Sequence, residues 1–152
     1  MISYIFFIIL LAFAAFLSIK ISIADLRRRI IPDAYLFPLM LIGLTLISFY
    51  SFPTNIQTAT IGAIFGYTMA AIIGIIFEKT KKSNDAPIGM GDLKLLGVGG
   101  IWLGTNGLAI ALIIACISGM IWSRQKQQKY IPFAPFFIFG GFLSFIINLF
   151  LL

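Results

Sequence analysis

Six apolar stretches dominate this chain, at 2–19, 34–52, 57–77, 93–104, 106–123 and 131–152. A helix needs about 20 residues, at 1.5 Å each, to cross roughly 30 Å of hydrocarbon. Five of the stretches are near that length; the fourth, "LKLLGVGGIWLG", is short. Hydrophobic residues make up 61% of the 152, charged residues only 11%, and the mean hydropathy is +1.07. A soluble fold of this size has no interior large enough to hide so much apolar surface. The expected fold class is therefore an all-α integral membrane protein, a bundle of six transmembrane helices with the fourth one short. Residues 1–152 are expected to form a single domain.

The loops support the count. Lys20, Arg27, Arg28 and Arg29 follow the first stretch. Lys79, Lys81, Lys82 and Lys94 flank the loop after the third. Arg124, Lys126 and Lys129 follow the fifth, which accounts for all 11 basic residues. The loops "SFPTNIQ" and "TN" carry none. Basic residues on alternate loops are what the positive-inside rule produces, so these three loops are expected to face the cytoplasm with both termini outside. The net charge of +6 then reflects topology, and no nucleic acid is implied. The N-terminus has no basic segment ahead of its apolar run and no A-x-A site behind it. It is expected to be a retained span.

Two spans carry a small residue every fourth position: Gly62, Gly66, Ala70 and Gly74 in the third, and Gly107, Ala111, Ala115 and Gly119 in the fifth. Each series lines one helix face and permits close backbone approach. Packing within the monomer is the expected use; a homodimer is the alternative. Cys116, the lone cysteine, is expected to be a small packing residue.

There is no histidine, which excludes a Cys/His zinc site and removes the most common general base. Acid–base chemistry would fall to five acids: Asp25, Asp33, Glu78, Asp85 and Asp92. A helix over residues 2–24 would be about 34 Å long and would put Asp25 at the cytoplasmic headgroups. Asp92 opens the fourth segment on the same side. Two carboxylates within about 4 Å repel by on the order of 4 kcal/mol at an effective dielectric near 20. One then keeps its proton while the other ionises. The ionised one can take a proton from water, and the neutral one can hydrogen-bond a carbonyl oxygen, as in an aspartyl protease. Gly89 and Gly91 would leave room for a peptide to approach Asp92. Structural roles compete with this reading. Asp92 could be a helix N-cap after a glycine turn, and Asp25 could pair with Arg28 or Arg29 at helical spacing. Asp33, after Pro32, is expected to cap the second span, Asp85 to be a solvated loop residue, and Glu78 to pair with nearby lysines.

Three segments resemble, in order, the motifs of the type IV prepilin peptidases, which are membrane aspartyl proteases. "DLRRRIIPD" (Asp25 to Asp33) resembles their first aspartate motif, an Asp with a Pro seven residues on and then Asn or Asp. "GMGDLKLLGVGGIWLG" (Gly89 to Gly104) resembles their G-x-G-D motif, and "IPFAPFFIFGG" (Ile131 to Gly141) is similar to their closing segment. The resemblance implies a membrane-embedded aspartic endopeptidase that cleaves the basic leader peptide of prepilin-like proteins at the cytoplasmic face of the inner membrane, in pilus assembly or protein secretion. It implies Asp25 and Asp92 as the catalytic pair, Gly89, Gly91 and Lys94 as substrate-positioning residues, and no cofactor or metal. Its partners would be the lipid bilayer and prepilin substrates. The larger members carry a four-cysteine insertion and also N-methylate the new N-terminus. This sequence has only Cys116, so it resembles the short form, and no methyltransferase activity is expected.

Two other functions fit the composition. A small proton-coupled transporter could use the acids as a relay, although its acids belong near the midplane and no inverted repeat is evident. A non-catalytic pilus or secretion assembly factor would keep the motifs without turnover.

Overall fold

A computed structural model describes residues 2–80, 89–126 and 131–151. The described residues form five helices: α1 (Ile2–Arg28), α2 (Asp33–Tyr50), α3 (Ile56–Thr80), α4 (Met90–Lys126) and α5 (Phe133–Leu151). No strand occurs among them. α1 to α4 are each long and apolar enough to cross a membrane, and α5 contains a shorter apolar stretch, Phe133–Asn148.

Five helices stand where six separate spans were expected, because the fourth and fifth stretches are joined without a loop. Thr105 and Asn106, expected to connect them, are helical. The break falls one residue earlier, at Gly104, whose φ of 64° and ψ of −172° are non-helical and are open essentially to glycine alone. The chain folds back there. A Cβ built on Gly99 would lie 3.7 Å from Leu108 Cδ1, whereas nine residues of straight helix would separate the two by about 13.5 Å. The turn frees backbone carbonyls in the helix it ends, and the Thr54 hydroxyl donates to one of them, Ile101 O, at 3.2 Å.

The other helix ends have local causes. α1 stops where Arg29 turns left-handed (φ 53°), with its N–H donating to Asp25 O at 2.9 Å. Pro32 precedes α2 in extended backbone and supplies no side-chain cap. Asp33 is the first residue of α2 and does not cap it. Its carboxylate instead meets Lys94 Nζ at 2.7 Å. Asn55 caps α3, its Oδ1 accepting the Thr58 N–H at 2.8 Å.

α4 lies at the centre, against α2, α3 and α5, while α1 contacts α2 and α5. The small residues make this closeness work. A Cβ on Gly100 would overlap the Gly62 carbonyl, and one on Gly66 would fall 2.6 Å from Leu96 O. A Cβ on Gly140 would fall 2.5 Å from Ala111 O. Both stripes thus serve packing within the chain, except at Gly74, where nothing lies within 4 Å. Cys116 is exposed and not a packing residue. It sits one position off the stripe, about 100° around the helix from buried Ala115.

Trp102 ties α4 to α2. Its Nε1–H donates to Leu39 O at 3.1 Å, and its ring occupies the space a Cβ on Gly43 would need. Trp102→Phe keeps an aromatic ring but removes the donor and part of the indole's bulk. It should cost about 1 kcal/mol, read as a lower midpoint in thermal unfolding in detergent.

Candidate active site

Alternate connections bring the ends of α1 and α4 and the start of α5 to one end of the bundle. Asp25, in the last turn of α1, is 5% exposed. Its Oδ2 accepts the backbone N–H of Ala134, in the first turn of α5, at 2.8 Å, and the neighbouring Phe133 backbone lies near enough to act on the same carboxylate. The side chain thus caps a helix 109 residues away in sequence. Arg29, one of the two arginines expected as its partner, acts on it electrostatically, and packing against α5 sets its place.

Asp92 is the third residue of α4 and is half-buried. It is not the N-cap: Gly89 is, its carbonyl accepting the N–H of Asp92 at 3.0 Å and of Leu93 at 3.3 Å. The Asp92 carboxylate reaches back to the Gly89 backbone amide, the return half of a capping box. A Cβ on Gly89 would come 3.4 Å from Asp92 Oδ2, and one on Gly91 would come 2.9 Å from Ile31 Cβ. Gly91 therefore lets the start of α4 press against the α1–α2 connection. That contact brings Asp92 near enough for Asp25 to act on it electrostatically.

Lys94 points to Asp33, pairing the start of α4 with that of α2. Both side chains are well exposed, at 45% and 66%, so the pair should contribute about 0.2–1 kcal/mol. Lys94→Met should lower stability by no more than this. Its effect on KM for a peptide substrate measures any separate positioning role. Asp85 lies outside the described residues, as does the side chain of Glu78. No group of three metal-ligating side chains occurs among the described residues.

A cleft of about 570 Å³ runs along the bundle, with Leu11, Ala14, Ser18, Leu39, Trp102 and Phe142 in its walls, and neither acid lines it. The Ala134 N–H on Asp25 is not legible in the sequence. The one available signal was the pair Pro132 and Pro135 bracketing Ala134, which marks a helix start without naming its partner.

Two acids from separate helix ends, Asp25 accepting from the Ala134 N–H and Asp92 from Gly89, thus come to one end of a bundle whose first four helices are long and apolar enough to cross a membrane. The chain belongs to the type IV leader peptidase family, whose model matches residues 5–124. It is 32% identical over 130 residues to a prepilin leader peptidase/N-methyltransferase of Burkholderia pseudomallei (strain 1026b), covering 81% of this chain and 41% of the relative. It is 30% identical over 131 residues to one of Dichelobacter nodosus (84% and 45%) and 29% identical over 146 residues to one of Dickeya chrysanthemi (91% and 50%). The chain spans about half the length of the curated relatives it matches. No solved structure matches it.

Proposed function

We propose that this chain is an aspartic endopeptidase that removes the leader from prepilin-like proteins at the cytoplasmic face of the inner membrane. The observation that carries this reading is the convergence of Asp25 and Asp92, from the end of α1 and the start of α4, at one end of an apolar bundle. In this proposal one carboxylate takes a proton from the attacking water as its oxygen bonds the scissile carbonyl carbon, and the other donates a hydrogen bond to the carbonyl oxygen; the tetrahedral intermediate then collapses, the C–N bond breaks, and the proton taken from water passes to the leaving amine. Gly89 and Gly91 keep the approach to Asp92 open, and Lys94 borders it. No cofactor or metal takes part.

The membrane arrangement belongs to the same proposal. With α4 folded back at Gly104, its two segments and the other four helices make six crossings. The basic residues Arg27, Arg28, Lys94 and Arg124 then share the cytoplasmic side, and both termini lie outside. The relatives' name includes methyl transfer; for this chain, with Cys116 its only cysteine, we propose peptidase activity alone. The small-residue stripes are used internally, so the working unit is taken as one chain. Co-expression with a candidate prepilin tests the proposal: the substrate should lose its leader, and full-length prepilin accumulating beside well-expressed protein would reject it. Proton flux in protein-loaded liposomes would instead support the transporter.

A further inference from the structure

Asp25 and Ser144 are the buried polar or charged residues among those described. Taking a carboxylate out of water is costly unless hydrogen bonds replace its hydration. The hydrogen bond that replaces it here comes from backbone, the Ala134 N–H. Backbone N–H groups have no rotamers to search, and Ala134 is 0% exposed, leaving its amide no free space to swing into. The need is mutual. α5 starts after Pro132, which has no side-chain acceptor, and Pro135 has no N–H, so the donors of the first turn are few and lack a cap of their own. Asp25 supplies the acceptor, and α5 in return fixes the rotation of the Asp25 carboxyl plane.

We infer that the first turn of α5, through the Ala134 N–H, is a positioning element for the reaction: it holds Asp25 Oδ2 and thereby sets the face that the carboxyl group turns to Asp92 and to water. The inference rests on the peptidase reading and adds to it a residue whose observed contact is with Asp25. Ala134 acts through Asp25. Rotating or shifting a reacting group by about 1 Å can cost on the order of a hundredfold in rate, so one backbone bond is enough to matter. Burial of substrate elsewhere is unaffected, so the effect belongs in kcat.

The test deletes the donor without changing shape. Ala134→lactic acid, introduced by nonsense suppression in the full chain, replaces the amide N–H by an ester oxygen. It is assayed in detergent on a purified prepilin beside the parent, Ala134→Gly, which keeps the N–H, and Trp102→Phe, which loses a hydrogen bond far from the acids. We expect the ester to lower kcat roughly tenfold to a hundredfold with KM unchanged, while Ala134→Gly and Trp102→Phe stay near the parent. Parental kcat in the ester variant overturns the inference. So does a loss that Trp102→Phe shares at equal thermal destabilisation, because that is the signature of folding and not of positioning. A second measurement needs no ester: the Ala134 amide proton resonance of the parent should lie downfield and move upfield in Asp25→Asn. A resonance that does not move also overturns it. A parent that cleaves nothing removes the peptidase reading itself, which separates the two failures.

Discussion

Asp25→Asn and Asp92→Asn should each reduce leader cleavage by roughly 10²–10⁴-fold, the range over which a positioned acid or base contributes. The substitutions are close to isosteric and differ in what else they disturb. An amide at position 25 can still turn its oxygen to the Ala134 N–H, so the contact between α1 and α5 survives while the ability to accept water's proton is lost. An amide at position 92 can likewise still accept from Gly89. Both variants should therefore accumulate and unfold like the parent. Asp33→Asn is the matched control: its carboxylate is exposed and paired with Lys94, and it should cleave at nearly the parental rate. Measured as the fraction of prepilin that keeps its leader after co-expression, cleavage that survives at position 25 or 92 would remove that residue from the mechanism.

The second large effect is on assembly. Gly100→Ala should destabilise the protein by about 1–3 kcal/mol or more, because the added methyl has no flexible neighbour to displace. It meets the carbonyl of Gly62 on α3, so the two helices must separate. Gly74→Ala is the same chemical change on α3, and there the methyl meets nothing within 4 Å. It should be neutral or stabilise by up to roughly 0.5–1 kcal/mol through helix propensity. Thermal unfolding of both in one detergent gives the contrast directly. Equal shifts would show that α3 and α4 do not approach along Gly62 and Gly100.

Much of this architecture is legible in the residues. Apolar runs, loop charges and small-residue stripes are each local to one segment, and bilayer thickness converts run length into helices without knowledge of the fold. The acids at 25 and 92 are legible as a pair because topology alone sends both to one end. What escapes the sequence depends on rotation and register between helices. Nothing in "IIPDAY" tells whether Asp33 caps its own helix or reaches across to Lys94; that depends on how far α4 slides along α2. The same holds for Ala134, whose side chain carries no chemistry and whose role lies in an N–H that every residue but proline possesses. The joint at Gly104 was misplaced for a different reason. Thr and Asn suggest a loop by composition, but a reversal this tight needs only one residue that tolerates φ of 64°, and the glycine supplies it. Cys116 was legible and misread: the stripe containing Ala115 points inward, and its sequence neighbour must point elsewhere.

The reversal at Gly104 has a consequence for the surrounding lipid. The segment from 90 to 103 rises only about 21 Å, roughly a third less than the hydrocarbon thickness. At its far end, away from the acids, lies a recess of about 610 Å³ bordered by Thr54, Asn55, Thr105, Asn106 and Asn148. In the six-crossing arrangement proposed above, a crossing this short is matched by thinning of the bilayer around it. The bilayer around this protein should therefore be pinched, so that a helix threading beside it crosses less oil there than anywhere else in the same membrane.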